Sequence, residues 1–123
     1  LDPRATAAFL DDPRHRLVVA IDGDSVVGFV SGVIYLHPDK PRPELWINEV
    51  GVAATHHRRG LGRRLIEELL AAARAEGCGE AWVLTDRANE PAIRLYESIG
   101  QETPGNHVMF SFPLRAGAQD RLG

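Results

Sequence analysis

Cysteine is nearly missing from this chain. The one that occurs, Cys78, excludes an internal disulfide and any metal site built from cysteine. His15, His37, His56 and His107 are scattered, with no ligand spacing such as His-Glu-x-x-His, so no metal is expected. No apolar run approaches the roughly 20 residues of a membrane span. No signal peptide is visible, and cytoplasmic residence without membrane attachment is the default expectation. An excess of positive charge is lacking too. The formal net charge of −3 argues against nucleic acid as the main partner. No internal repeat, low-complexity segment or second domain interrupts the 123 residues, which suffice for one domain with one core. Residues 115–123 read as a frayed tail. The chain starts at Leu1 rather than methionine, and further residues are expected upstream.

What the chain does have is an unusual stretch from Glu49 to Gly62. It reads as a strand end, a short basic loop and a helix start. Leu61, Leu65, Ile66, Leu69 and Leu70 recur at helical spacing, and Gly77 stands where a C-terminal cap belongs. Arg58, Arg59, Arg63 and Arg64 crowd the helix start. The macrodipole is already positive there, and the first N–H groups have no intrahelical partner. A bound anion resolves that conflict, since it accepts the N–H groups and pairs with arginine. Gly60 and Gly62 let backbone approach it closely. The Walker pattern is absent, because no Gly-Lys-Ser/Thr closes the loop, and Leu65 stands where a dinucleotide fingerprint needs its third glycine.

The rest of the chain alternates strands and helices. Residues 1–15 read as a helix end and a turn broken at Asp12-Pro13. Leu17 to Ile21 and Val26 to Tyr35 form an antiparallel pair around Asp22-Gly23-Asp24, with Gly28 and Gly32 marking bulges or close approach. A loop with three prolines, residues 37–43, leads into a strand from Leu45 to Val52. After the central helix, Ala81 to Thr85 is a strand expected to run parallel to the strand from Leu45 to Val52. Asn89 caps a helix with Pro91 in its first turn, Ala92, Tyr96 and Ile99 on one face, and Gly100 at its end. His107 to Leu114 is the expected last strand.

His57-Arg58-Arg59-Gly60-Leu61-Gly62 resembles the pyrophosphate loop of the GNAT acetyltransferase superfamily, Gln/Arg-x-x-Gly-x-Gly/Ala, with His57 in place of Gln or Arg. Asn89-x-x-Ala92-x-x-x-Tyr96-x-x-x-Gly100 resembles that superfamily's second signature, with Gln101 where Phe is usual. The resemblance spans residues 16–114; the family's first strand and first helix are not evident. It implies an α/β fold, a mixed, mostly antiparallel sheet splayed near Val50 and flanked by helices. It implies acetyl-CoA as co-substrate, held by Val50, Gly51, Val52, His57, Arg58, Arg59, Gly60, Leu61, Gly62, Arg63, Asn89 and Tyr96. Three short matches look most like aminoglycoside 3-N-acetyltransferases: Tyr35-x-x-Pro38, Pro41-Arg42-x-Glu44 and Pro91-Ala92-Ile93-x-Leu95-Tyr96.

The chemistry so implied is attack of an amine on a thioester. Glu49, on the strand leading into the loop, is the candidate base for an amine that is mostly ammonium at pH 7. A backbone N–H beside Val50 or Val52 is the candidate oxyanion donor. Tyr96, held by its helix, is the candidate acid for the leaving thiolate. Cys78 has no evident base, which favours direct transfer. Glu44, Glu49 and Asp86 are the candidate groups for a cationic acceptor. Glu44 and Glu49 are five residues apart, on opposite faces of an ideal strand, and share a cleft only if a bulge intervenes. The partner is then a small-molecule amine, an aminoglycoside first, and homodimerisation is left open. Acetylation of another small amine or a protein N-terminus, and non-catalytic acyl-CoA binding, are the alternatives.

Overall fold

The computed structural model describes residues 1–100, 105 and 107–115. Helix α1, Pro3–Asp11, begins with Asp2 accepting from the N–H groups of Arg4 and Ala5, with proline in the first turn. Strands β1, His15–Asp22, and β2, Ser25–Tyr35, form a hairpin whose turn needs the left-handed Gly23, φ 61°. Strand β3, Glu44–Val52, adds antiparallel to β2, and β4, Glu80–Val83, adds parallel to β3. Between them runs α2, Leu61–Ala75, closed by Gly77 at φ 85°. Helix α3, Glu90–Ser98, follows β4. The sheet order is β1-β2-β3-β4.

The core lies on one face of this sheet. Val30, Leu45 and Ile47 meet Leu65, Ile66, Leu69 and Ala73 of α2, all buried. Leu95, Tyr96 and Ile99 of α3 pack at its margin. Both glycines of β2 serve this packing. A Cβ on Gly32 would stand 2.8 Å from Leu45 Cδ1, and one on Gly28 would stand 3.2 Å from Leu65 Cδ1. Helix α1 sits by β1, where Phe9 stacks on His15 with ring centroids 4.2 Å apart.

Two register shifts decide which side chains share a face. One falls between Ala20 and Ile21. The other matters for the site: Ser31 pairs with Glu49 while Gly32 pairs with Ile47, so Asn48 is an extra residue in β3. The bulge keeps Leu45, Ile47, Val50 and Val52 on the core side. It therefore brings Glu44, Trp46 and Glu49 onto the opposite face together.

The end of the chain differs from the sequence expectation. Residues 107–114 form no strand, so the described sheet has four strands. Alternation alone does not make a strand without an edge to pair with. Here β4 offers only four residues, and Pro113 lacks a donor. Val108, Met109, Phe110, Phe112 and Leu114 are all exposed. Strand β4 also ends at Val83 rather than Thr85. The expected tail at 115–123 and the Gln101 position lie outside the described residues, apart from Arg115.

Glu44 is buried on the face away from α2. Lys40 Nζ donates to its Oε2 at 2.8 Å, Tyr35 Oη donates to its Oε1 at 3.2 Å, and His37 Nε2 lies 3.1 Å from Oε1. The Lys40 hydrogen bond leads in holding its carboxyl below the ordinary range. Its stability contribution is therefore present above the unfolded carboxylate pKa and is lost as pH falls through the lower folded value. Urea midpoints measured across the acid range should fall with pH, and fall less steeply in Glu44→Gln. Parallel curves for the two proteins would contradict this assignment.

Candidate active site

The central loop leaves β3 through a 3₁₀ turn, Ala54–His56, and reaches α2 with two left-handed residues. Arg58 has φ 64° and Gly60 has φ 74°. A left-handed arginine costs about 1 kcal/mol or more, a strain that marks functional loops. Gly60 is the N-cap of α2 and offers no side-chain acceptor, and no acidic residue stands in the first turn. The first intrahelical bond runs from Arg64 N to Gly60 O at 3.1 Å. Among the described residues, the N–H groups of Leu61, Gly62 and Arg63 have no acceptor. Arg63 leans 3.5 Å from Glu67, while Arg58, Arg59 and Arg64 form no ion pair among the described residues. This end of the helix suits a polyphosphate.

The glycines play different parts. A Cβ on Gly60 would touch nothing within 4 Å, so only its backbone angle matters. A Cβ on Gly62 would meet Leu95 Cδ2 at 3.3 Å, which makes Gly62 the point where α3 rests on α2. Gly60→Val should therefore weaken binding of a pyrophosphate-bearing ligand at this helix start about tenfold through backbone strain. Gly60→Asn, which tolerates the left-handed region, should stay near the parent. Equal affinities for the two variants would show that the backbone angle is not what the loop requires.

His57 does not face the loop's anion side. Its Nε2 bonds Val52 O at 2.8 Å and ties the loop back to the strand end. His56 holds the same loop to the first hairpin, with Nε2 2.7 Å from Asp22 Oδ2 and Nδ1 2.8 Å from Thr55 Oγ1.

The sheet opens beside this loop. Strand β4 pairs with β3 only from Glu44 to Ile47, so the outer edge of residues 48–52 has no strand partner among the described residues. Ala53 N donates to Val27 O at 2.8 Å. By the antiparallel alternation, the N–H and C=O groups of Val50 and Val52 point away from β2, into the splay. His57 takes the Val52 carbonyl. The N–H groups of both valines and the Val50 carbonyl are left for an extended ligand. Gly51 lies against Phe29, whose Cε1 would be 3.0 Å from a Cβ there.

The two candidate proton-transfer groups lie on opposite sides of the sheet. Tyr96 packs on the core side, and burial pushes its phenol above its ordinary pKa, so it keeps its proton at neutral pH. Glu49 is exposed on the other face. It lines a groove of about 380 Å³ with Asp2, Phe9, Leu17, Phe29 and Ser31. No local sequence pattern announces the α1 part of that groove, because α1 packs on β1 while Glu49 stands two strands away on β3. Glu44 is not in the groove, being engaged by Tyr35, His37 and Lys40. Asn89 Oδ1 accepts from Ala92 N at 3.3 Å as a helix cap, and Asp86 Oδ1 accepts from Ala88 N at 2.8 Å in the turn before it. Burial raises the Cys78 thiol pKa, which disfavours the thiolate a nucleophile needs.

Residues 1–101 match the Acetyltransferase (GNAT) family, and the chain belongs to it. It is 35% identical over 107 residues to N-alpha-acetyltransferase RimI of Mycobacterium tuberculosis, covering 85% of this chain and 65% of that protein. It is 30% identical over 90 residues to streptothricin acetyltransferase of Streptomyces lavendulae, covering 73% of this chain and 46% of that protein. The chain thus spans about half to two thirds of the length of these curated relatives. Its fold matches an aminoglycoside acetyltransferase from an uncultured soil metagenomic sample with TM-score 0.81 at 26% identity, over 94% of this chain and 76% of that one. No helix among the described residues is long and apolar enough to cross a membrane.

Proposed function

We propose that this chain transfers an acetyl group from acetyl-CoA to a primary amine of an aminoglycoside. The observation that carries the reading is the uncapped, arginine-ringed start of α2 beside a strand edge without a partner. The helix start takes the pyrophosphate, and the splayed edge takes the thioester arm. Val50 N–H or Val52 N–H accommodates the oxyanion as the amine attacks the carbonyl carbon. The C–N bond forms, the C–S bond breaks, and the sulfur leaves as thiolate. Glu49 accepts the amine proton, and Tyr96 donates to the departing sulfur.

The aminoglycoside acceptor is supported by the similarity to the soil acetyltransferase and by two exposed carboxylates, Glu49 and Asp86. The 3-amino position follows from the short sequence matches. The similarity to RimI favours a protein N-terminus as the second reading. The test is a thiol-release assay with acetyl-CoA and a panel of gentamicin-like, kanamycin-like, peptide and simple monoamine acceptors, with products placed by NMR. Acetylation of a 2-deoxystreptamine amine is expected, with KM rising as salt screens the carboxylates. Turnover only on peptides or monoamines would overturn the aminoglycoside reading. Binding of acetyl-CoA without turnover on any amine would overturn transfer itself.

A further inference from the structure

The face of the sheet away from α2 carries an aromatic pair that the transfer chemistry does not use. Trp46 of β3 and Trp82 of β4 occupy paired positions in the parallel ladder. Their rings stack with centroids 5.2 Å apart and an interplanar angle of 9°. Trp46 is nevertheless 39% exposed. An indole this open still presents apolar surface that Trp82 does not cover.

The pair is also locked in place. Trp82 Nε1 donates to Tyr35 Oη at 2.5 Å, and the Tyr35 ring stands edge-on to Trp82. Tyr35 Oη in turn donates to the buried Glu44 carboxylate, which Lys40 and His37 hold. A polar chain thus runs from Glu44 through Tyr35 to Trp82 and fixes the plane on which Trp46 stacks. Stacking alone stabilises two neighbouring strands. Polar locking of an exposed aromatic surface reduces what a ligand must order on binding.

The charges around the pair are arranged along the strands. Glu80 and Glu44 form one paired row, Trp46 and Trp82 the next, and Glu49 follows on the same face after the bulge. Lys40 lies close enough to Glu80 to feel its charge, whereas Glu49 makes no ion pair among the described residues. Trp46 and Glu49 sit opposite Val33 and Ser31, two residues apart on β2, which separates them by roughly 7 Å. That is about the width of one sugar ring with its substituents.

We infer that Trp46, backed by Trp82, is the platform on which the acceptor's ring lies, and that it selects ring-borne cationic amines over linear ones. This rests on the proposed amine acetylation and names the determinant of its acceptor. An indole face attracts C–H edges and ammonium groups, and a ring lying on it directs an amine substituent toward Glu49. A linear polyamine has the charge without the ring. A neutral sugar has the ring without the charge.

The chain's two tryptophans are both in this pair, so intrinsic tryptophan fluorescence reports on the platform alone. The probes are a kanamycin-type aminoglycoside, spermidine and trehalose. The aminoglycoside should change the fluorescence at about tenfold lower concentration than either control. Trp46→Leu should raise the aminoglycoside KM about tenfold while leaving the acetyl-CoA KM and the spermidine KM unchanged. Trp46→Phe keeps an aromatic face and should recover part of the loss. Circular dichroism and the acetyl-CoA affinity show whether each variant is folded. Equal fluorescence responses to all three probes, or an unchanged aminoglycoside KM in a folded Trp46→Leu, would overturn the inference and leave acetyl transfer standing. A selective fluorescence response without acetylation of any amine would instead sustain the platform and overturn the transfer reading.

Discussion

Replacing Tyr96 with phenylalanine is expected to lower kcat about 100-fold, with the KM for acetyl-CoA little changed. The substitution removes one oxygen and keeps the ring that packs at the margin of the core. Burial holds the phenol pKa above its ordinary value, so the proton is present across the neutral range. A thiolate with a pKa near 8.5 does not take a proton completely from so weak an acid. In the proposed reaction Tyr96 is therefore a positioned donor whose hydrogen bond strengthens as charge gathers on sulfur. That sets the loss near the low end for general-acid groups. Parent-like turnover in Tyr96→Phe would return the residue to a purely packing role.

Glu49→Gln is expected to lower kcat/KM for the amine about 100-fold at neutral pH, and the loss should shrink as pH rises. The amide cannot accept a proton, so the variant uses only amine that is already neutral. For an amine with a pKa near 10 that fraction rises about tenfold for each pH unit in the neutral range. If Glu49 is the base, the parent deprotonates bound ammonium and should show the weaker dependence. Identical pH profiles for the two proteins would show that Glu49 is not the base. Glu49 is exposed and faces the groove beneath α1, so the change is not expected to disturb the core.

The central loop and both flanking helices were legible because their signals are local. A crowd of arginines at an uncapped helix start, a glycine just past its end and an Asn-x-Pro cap each lie within a few residues. The structure places Gly77 and Asn89 in those expected roles, and α2 starts directly after Gly60. Properties that depend on register were not legible. Alternation alone puts Glu44 and Glu49 on opposite faces, and only the extra residue at Asn48 reverses that. The stacking of Trp46 on Trp82 needs two strands 36 residues apart in sequence to align, and no local pattern announces it. His57 matches the loop motif by position, yet its ring turns to Val52 O, because a carbonyl pointing into the splay needs a donor. The segment from His107 to Leu114 has strand composition without a strand, since composition supplies no pairing edge.

In the proposed reaction an acyl-CoA lies across the start of α2 and the open edge of β3. The most direct measurement is a titration of acetyl-CoA into ¹⁵N-labelled protein, followed by amide NMR. The largest shifts are expected at Gly60, the N-cap of α2, at Leu61, Gly62 and Arg63, whose N–H groups have no acceptor among the described residues, and at Val50 and Val52, whose N–H groups point into the splay. Saturable binding that leaves these six amides unmoved, or no binding at all, would contradict the assignment of the site.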